Sequence, residues 1–282
     1  MTPAAPTVAV AAVAQRIETF RQQSRVRAGS LILSLFGDAV LPRGGRLWIG
    51  SLIRLLEPLG INERLTRTAV FRLAKDGWLR IEPHGRRADY LLTPAGQRRF
   101  EEASRSIYAS QPRAWDGRWR LLLLVGEIDA KTREPLRRAL FWQGFGAIGP
   151  NCFVHPSADL VRRAWNLDAL AQAYVDFEAL YQAIAEALHP AEGAHAALGD
   201  EEAFLLRTLL IHDWRRLLLR DPGLPDVLLP PDWPGQRARR LTQSLYHELL
   251  APSERHLDAH LHLADGTRLP VGGDLGERFR GR

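Results

Sequence analysis

Apolar residues recur every three or four positions along several stretches of the chain and every second position along others, and these changes of period mark out its elements. Leu31, Ile32, Leu35 and Phe36 fall on one face of a helix expected over residues 25–40, which Pro42, Gly44 and Gly45 break. Residues 46–49 read as a short extended segment, and Gly50 or Ser51 opens a helix running to Glu57. Pro58, Leu59 and Gly60 end that helix, since proline lacks a backbone donor and glycine accepts the left-handed conformation after a helix end. Asn62 is the expected cap of the next helix. At about 100° per residue, Leu65, Thr66, Ala69, Val70 and Leu73 share one side of it, leaving Arg64, Arg67, Thr68, Phe71, Arg72 and Lys75 on the other. Asp76 and Gly77 stop this helix, residues 78–82 alternate as a strand, residues 83–87 form a tight turn, and residues 88–92 make the returning strand.

Thr93 and Pro94 restart a helix to about Tyr108, with Phe100, Ala103 and Ile107 inward, and residues 111–119 read as a linker. Residues 121–125 are a continuous apolar run, suited to a strand covered on both faces. A helix over 133–143, a turn over 144–149 and a second strand over 147–155 make a β-α-β start resembling half of a ferredoxin-like domain. Only about a dozen residues separate Cys152 from Trp165, too few for a further strand and helix, so that domain reads as shortened. Helices are expected over 166–188, 201–219 and 236–250, with an extended proline-rich loop over 221–235 and a flexible polar tail. The expected fold is α+β, with a flexible tail over 1–28 that leads into a helix near residues 13–23, a winged helix-turn-helix over 29–112, the partial ferredoxin-like domain over 113–165 and a helical C-terminal domain over 166–282.

Charge sharpens this division. The net charge is +6, but residues 1–110 hold 17 Lys and Arg against 9 Asp and Glu, so the remainder is slightly acidic. The excess positive charge sits with the basic helix and hairpin, as expected of a surface that neutralises phosphates. The single cysteine, Cys152, excludes an internal disulfide framework and fits a reducing cytoplasm; its apolar neighbours favour a place in the core. No run approaches the length of a membrane span, and the small-residue N-terminus lacks the positive leader of a secretory signal.

The order of helix, turn, basic helix and basic hairpin points to double-stranded DNA. Arg64, Arg67, Thr68 and Arg72 are the expected groove contacts, because Arg pairs with two acceptors on a guanine edge and Thr meets a thymine methyl. Lys75 adds a cation to the same face, and Arg86 and Arg87 at the hairpin turn are expected on phosphates or in the minor groove.

Residues 48–79, WIGSLIRLLEPLGINERLTRTAVFRLAKDGWL, followed by GRRADYLLTPAGQRRFEEA, resemble the N-terminal domain of the PaaX-type repressors of phenylacetic acid degradation. LLIHDWRRLLLRDPGLPDVLLPPDWPG, followed by a helix with Leu245 and Tyr246, is similar to the C-terminal domain of the same family. The resemblance implies a repressor that binds operator DNA as a homodimer and is released by an aryl-CoA such as phenylacetyl-CoA, with no resident cofactor. A CoA ester needs cations for its phosphates and an apolar slot for its aryl end. Trp214, Arg215, Arg216 and Trp233 supply both kinds of group and are the candidates for the effector.

Three other chemistries compete. His256, His260 and His262 suggest a metal, but no thiolate accompanies them and no metal site is expected. His212 and Asp213 are adjacent, and adjacent residues on a helix point in different directions. The alternative from another class is a metal-dependent nuclease, with Asp116, Glu127 and Asp129 flanking the first strand of the middle domain.

Overall fold

The computed structural model describes residues 8–23, 28–111, 120–124, 129–142, 145–147, 149, 151–155, 166–189, 198–224 and 229–280. Helix α1 (Val8–Arg21) is followed by α2 (Ala28–Leu35), which runs on as a π-helical turn (Phe36–Val40) and a 3-10 turn (Leu41–Arg43). Strand β1 (Arg46–Trp48) leads into α3 (Ile49–Leu56), a turn and α4 (Glu63–Lys75), then β2 (Leu79–His84), β3 (Arg87–Leu92) and α5 (Pro94–Ile107). The middle segment holds β4 (Arg120–Leu123), α6 (Ala130–Trp142), β5 (Gly146–Ala147) and β6 (Cys152–His155). Three long helices complete the chain: α7 (Leu167–Leu188), α8 (Asp200–Leu218) and α9 (Gly235–His260).

The helix expected near residues 13–23 is α1, which starts earlier, at Val8, within the segment expected to be a flexible tail. Ala9, Val13, Ile17 and Phe20 are buried at helical spacing, and the helix packs on α7 and α8. Arg16 is buried with them and is 2.5 Å from Asp213, which also accepts a 2.8 Å hydrogen bond from the Tyr181 hydroxyl. The C-terminal tail is likewise packed rather than loose. Phe279 is fully buried against Tyr108 and Tyr246, and Arg278 reaches Asp38 at 2.8 Å. α9 passes Pro252, where the final helix was expected to stop, because Leu257 is buried and Glu254 pairs with both Arg43 and Arg207.

One hydrophobic core joins α1 to α5 with α7 to α9. Its polar centre is Asp38, on the π-helical turn, which lies 2.9 Å from Arg207 of α8 and accepts from the hydroxyls of Tyr108 at 2.7 Å and Tyr246 at 3.2 Å. Burial alone would raise the Asp38 carboxyl, but Arg207 and Arg278 hold it below the usual carboxylate range.

The middle segment departs from expectation. β5 and β6 are separate strands paired antiparallel, in the order β4-β6-β5, where a single strand over 147–155 was expected. Leu121 and Leu123 of β4 are 60% and 59% exposed, so the run is not covered on both faces among the described residues. Cys152 is half-buried beside the buried Phe153. The linker over 112–119 and the interval 156–165, on which the shortening of this domain rests, lie outside the described residues.

His212 of α8 faces α2, its Nδ1 3.1 Å from the Ser34 hydroxyl. Its pKa is pushed down to about 4, first by burial and then by Arg215, Arg216 and Arg16, against the opposing pull of Asp213. The unfolded chain takes up this proton near its ordinary value and the folded chain does not. Stability is therefore fully present above about pH 6.5 and falls as the pH drops towards 4, by about 2 kcal/mol between pH 7 and pH 5. Denaturant unfolding at the two pH values checks this. His212→Gln should reduce the difference by about 2 kcal/mol, with His256, whose pKa is also pushed down to about 4 by burial and by His260, contributing to what remains, and an unchanged difference would reject the assignment.

Candidate nucleic-acid interface

The helices α3 and α4 are joined by a 3-10 turn over Glu57–Leu59, closed by Gly60 in the left-handed conformation (φ 77°). Pro58 suits that turn, and the Gly60 amide donates to Glu57 O at 2.9 Å. Asn62 then caps α4 as expected, its Oδ1 accepting from the Leu65 amide at 2.9 Å. Thr66, Ala69, Val70 and Leu73 seat α4 on the core; Leu65, expected with them, is 38% exposed at the edge of the buried face. The sheet beneath has the order β1-β3-β2, all antiparallel, and β2 turns into β3 through a two-residue loop, Gly85-Arg86. Gly85 takes φ 60°, the left-handed conformation that such a hairpin turn requires.

Arg64, Arg67, Thr68, Arg72 and Lys75 all lie on the exposed side of α4, and Arg86 projects from the hairpin tip. They are not equivalent. Arg67 is tied to Glu63 one turn earlier, at 2.7 Å, and the Thr68 hydroxyl donates back to Arg64 O at 2.8 Å. Arg64, Arg72, Lys75 and Arg86 form no ion pair among the described residues, so their charges are presented to solvent.

Arg87 is placed differently from Arg86. Its guanidinium lies 4.8 Å from the Trp48 ring and donates to Ala264 O at 3.0 Å, so it is held against the sheet rather than offered at the tip. Arg54 covers the same ring at 5.3 Å, and Trp48 leaves no room for a side chain at Gly50, where a Cβ would come within 2.4 Å of the indole. The partner of Arg87 belongs to a strap after α9 that periodicity did not reveal. Along it, His262 O accepts from the Trp48 amide at 3.0 Å, and the Ala264 amide donates to the buried Asp89 at 2.7 Å. Asp89 also pairs with Arg46 at 3.0 Å. The hairpin is thus tied on one edge to the end of α9.

Two of the four effector candidates, Trp214 and Trp233, pack against the same ring, Tyr174, at 6.1 Å and 5.8 Å. Trp214 is fully buried, its indole N–H donating to Ile107 O at 2.9 Å with Arg239 over its ring at 5.3 Å. Arg215 is turned into α2, donating to the hydroxyls of Ser30 at 2.7 Å and Ser34 at 3.0 Å, while Arg216 is exposed. Trp233 packs edge-on against Tyr174 at 5.8 Å. Trp214, Trp233 and Arg215 thus make contacts between helices of the core. A cleft of about 250 Å³ lies elsewhere, between α1, Pro58 and the start of α8, and its charged lining is Glu201 and Glu202 with Arg21.

Of the nuclease candidates, Asp116 and Glu127 lie outside the described residues, and Asp129 caps α6 by accepting from the Thr132 amide at 2.6 Å. His256 stacks on Phe204 at 4.9 Å and lies 4.4 Å from the His260 ring, while His262 Nε2 is 2.9 Å from Ala259 O. No group of three or more His, Cys, Asp or Glu suited to a metal occurs among the described residues. No helix of the described residues is long and apolar enough to cross a membrane.

Comparison with known proteins follows the same division. Residues 27–96 match the family model of PaaX-like proteins, residues 112–188 that of the PaaX central Cas2-like domain, and residues 165–259 that of the PaaX-like C-terminal domain. The central match runs to 188, so α7 is shared by the Cas2-like and C-terminal matches, where the sequence had assigned it to the C-terminal domain alone. The chain is similar to an uncharacterized protein of known structure from Mycobacterium tuberculosis, at 26% identity over 73% of this chain and 89% of that one, with a TM-score of 0.45. It is also 36% identical, over 303 aligned residues, to the transcriptional repressor PaaX of Escherichia coli, an alignment spanning 94% of this chain and 95% of that protein. By the extent and identity of that match the chain belongs to the family of PaaX-type transcriptional repressors.

Proposed function

We propose that α3, α4 and the β2-β3 hairpin form a winged helix-turn-helix that binds double-stranded operator DNA, with α4 in the major groove and Arg86 on the backbone. The observation that carries this is the exposed cationic face of α4, on a helix whose opposite face is buried and whose start is capped. The chain acts as a homodimer on a two-fold site, represses genes of phenylacetate catabolism in the cytoplasm, and is released by an aryl-CoA, phenylacetyl-CoA above all. Kinship with a transcriptional repressor supports the role in repression. Arg64, Arg67, Thr68, Arg72 and Lys75 face the bases and nearby phosphates.

Fluorescence anisotropy on promoter DNA nearest the gene tests the whole reading. Binding released by phenylacetyl-CoA, and not by free phenylacetate or acetyl-CoA, is the expected result; binding insensitive to every thioester rejects the effector. Arg86 gives a separate check. Arg86→Ala should weaken binding to all sequences alike and reduce the dependence of log K on log salt by about one unit. An unchanged slope would take Arg86 off the phosphates.

A further inference from the structure

Residues 64, 68, 71 and 75 stand at spacings of four, three and four, so Arg64, Thr68, Phe71 and Lys75 form one straight stripe down the middle of the exposed face of α4. Arg67 and Arg72 flank it. Phe71 is 66% exposed and makes no ring stacking or cation-π contact among the described residues. A single exposed aromatic needs no explanation in general. This one lies at the centre of the face on which the DNA-reading proposal rests, between cations rather than at an edge.

Thr68 adds to the apolar centre. Its hydroxyl is engaged with Arg64 O at 2.8 Å, which leaves its methyl group as the part it can offer to a partner. From Arg64 to Lys75 the stripe therefore runs cation, methyl, ring, cation. The cations match phosphates and guanine acceptors; the centre matches an apolar group set within a polar, anionic surface. In a major groove the group of that kind is the C5-methyl of thymine. The same face of a second copy would bring Arg64, Arg67, Arg72 and Lys75 against their own counterparts.

We infer that Phe71 is a specificity-determining residue that packs on a thymine methyl in the major groove, with the Thr68 methyl beside it. This rests on the DNA-reading proposal and goes beyond it by naming the base feature read.

The experiment uses the full chain. A preferred site is selected from a randomised DNA pool, and each of its thymines is replaced in turn by deoxyuridine, which removes only the methyl group. For the unaltered protein, one thymine in each half-site should show a loss of about fourfold in affinity, the worth of one buried methyl. Phe71→Ala, at an exposed position, should bind the thymine and uracil sites equally at that position while keeping its salt dependence. Uracil tolerated at every position overturns the inference and leaves the DNA-reading proposal standing. So does Phe71→Ala retaining the same uracil sensitivity, and if that variant also changes oligomeric state the ring belongs to a contact between copies. Failure of the unaltered protein to select any sequence overturns the DNA-reading proposal and this inference with it.

Discussion

Asp38→Ala should destabilise the folded chain by about 3–5 kcal/mol, the cost of leaving buried charges without their partner. Asp38 is 4% exposed and sits among groups drawn from four distant parts of the chain: Tyr108 after α5, Arg207 on α8, Tyr246 on α9 and Arg278 in the tail. Removing the carboxylate leaves two guanidiniums facing a cavity. Arg207 keeps Glu254 at 2.5 Å, whereas Arg278 loses its only ion pair among the described residues. Asp38→Asn keeps the volume and a hydrogen-bond acceptor for the tyrosines but not the charge, so it separates the ionic part of the loss from the packing part. Denaturant unfolding at neutral pH measures both. A loss below about 1 kcal/mol for Asp38→Ala would show that the network is not closed as described. Because the cluster joins the elements proposed to read DNA to α8, α9 and the tail, the variants should also unfold these parts separately.

Arg64→Ala should reduce affinity for the preferred DNA site by about ten- to a hundredfold and relax base preference at one position, the loss expected for one bidentate base contact. Arg64 lies in the first turn of α4, the part of a recognition helix that reaches base edges, and has no ion-pair partner among the described residues. Arg67 already holds Glu63 and must give up that pair to meet DNA, so Arg67→Ala should lose less. Neither residue supports the core, and unfolding midpoints should stay within about 0.5 kcal/mol of the unaltered protein. Equal losses on preferred and scrambled DNA would move Arg64 from base reading to backbone contact.

The parts legible in the sequence are those set by local rules. The Pro58-Gly60 turn, the Asn62 cap, the division of α4 into two faces and the Thr93-Pro94 restart all follow from side chains within four residues of where they act. What was not legible depends on partners far along the chain. Arg86 and Arg87 look alike in a hairpin turn, and only the strap at Ala264 separates them. The partners of Trp214 and Arg215, at Ile107, Ser30 and Ser34, lie too far along the chain to be read from the neighbouring residues. The N-terminal helix starts earlier than expected because the alanines and valines before Val13 have no strong pattern alone, yet Ala9 is buried and the helix meets α7 and α8. β5 has only two residues, too few to alternate, so its hairpin with β6 could not be seen.

The central claim is that this chain reads DNA sequence. Its most direct test is an anisotropy titration of the full chain, at physiological salt, on promoter DNA from beside its gene and on a scrambled duplex of the same composition. Preference for the promoter by a factor of about a thousand or more is the expected result. Equal affinity for the two duplexes, or binding to neither, would contradict it.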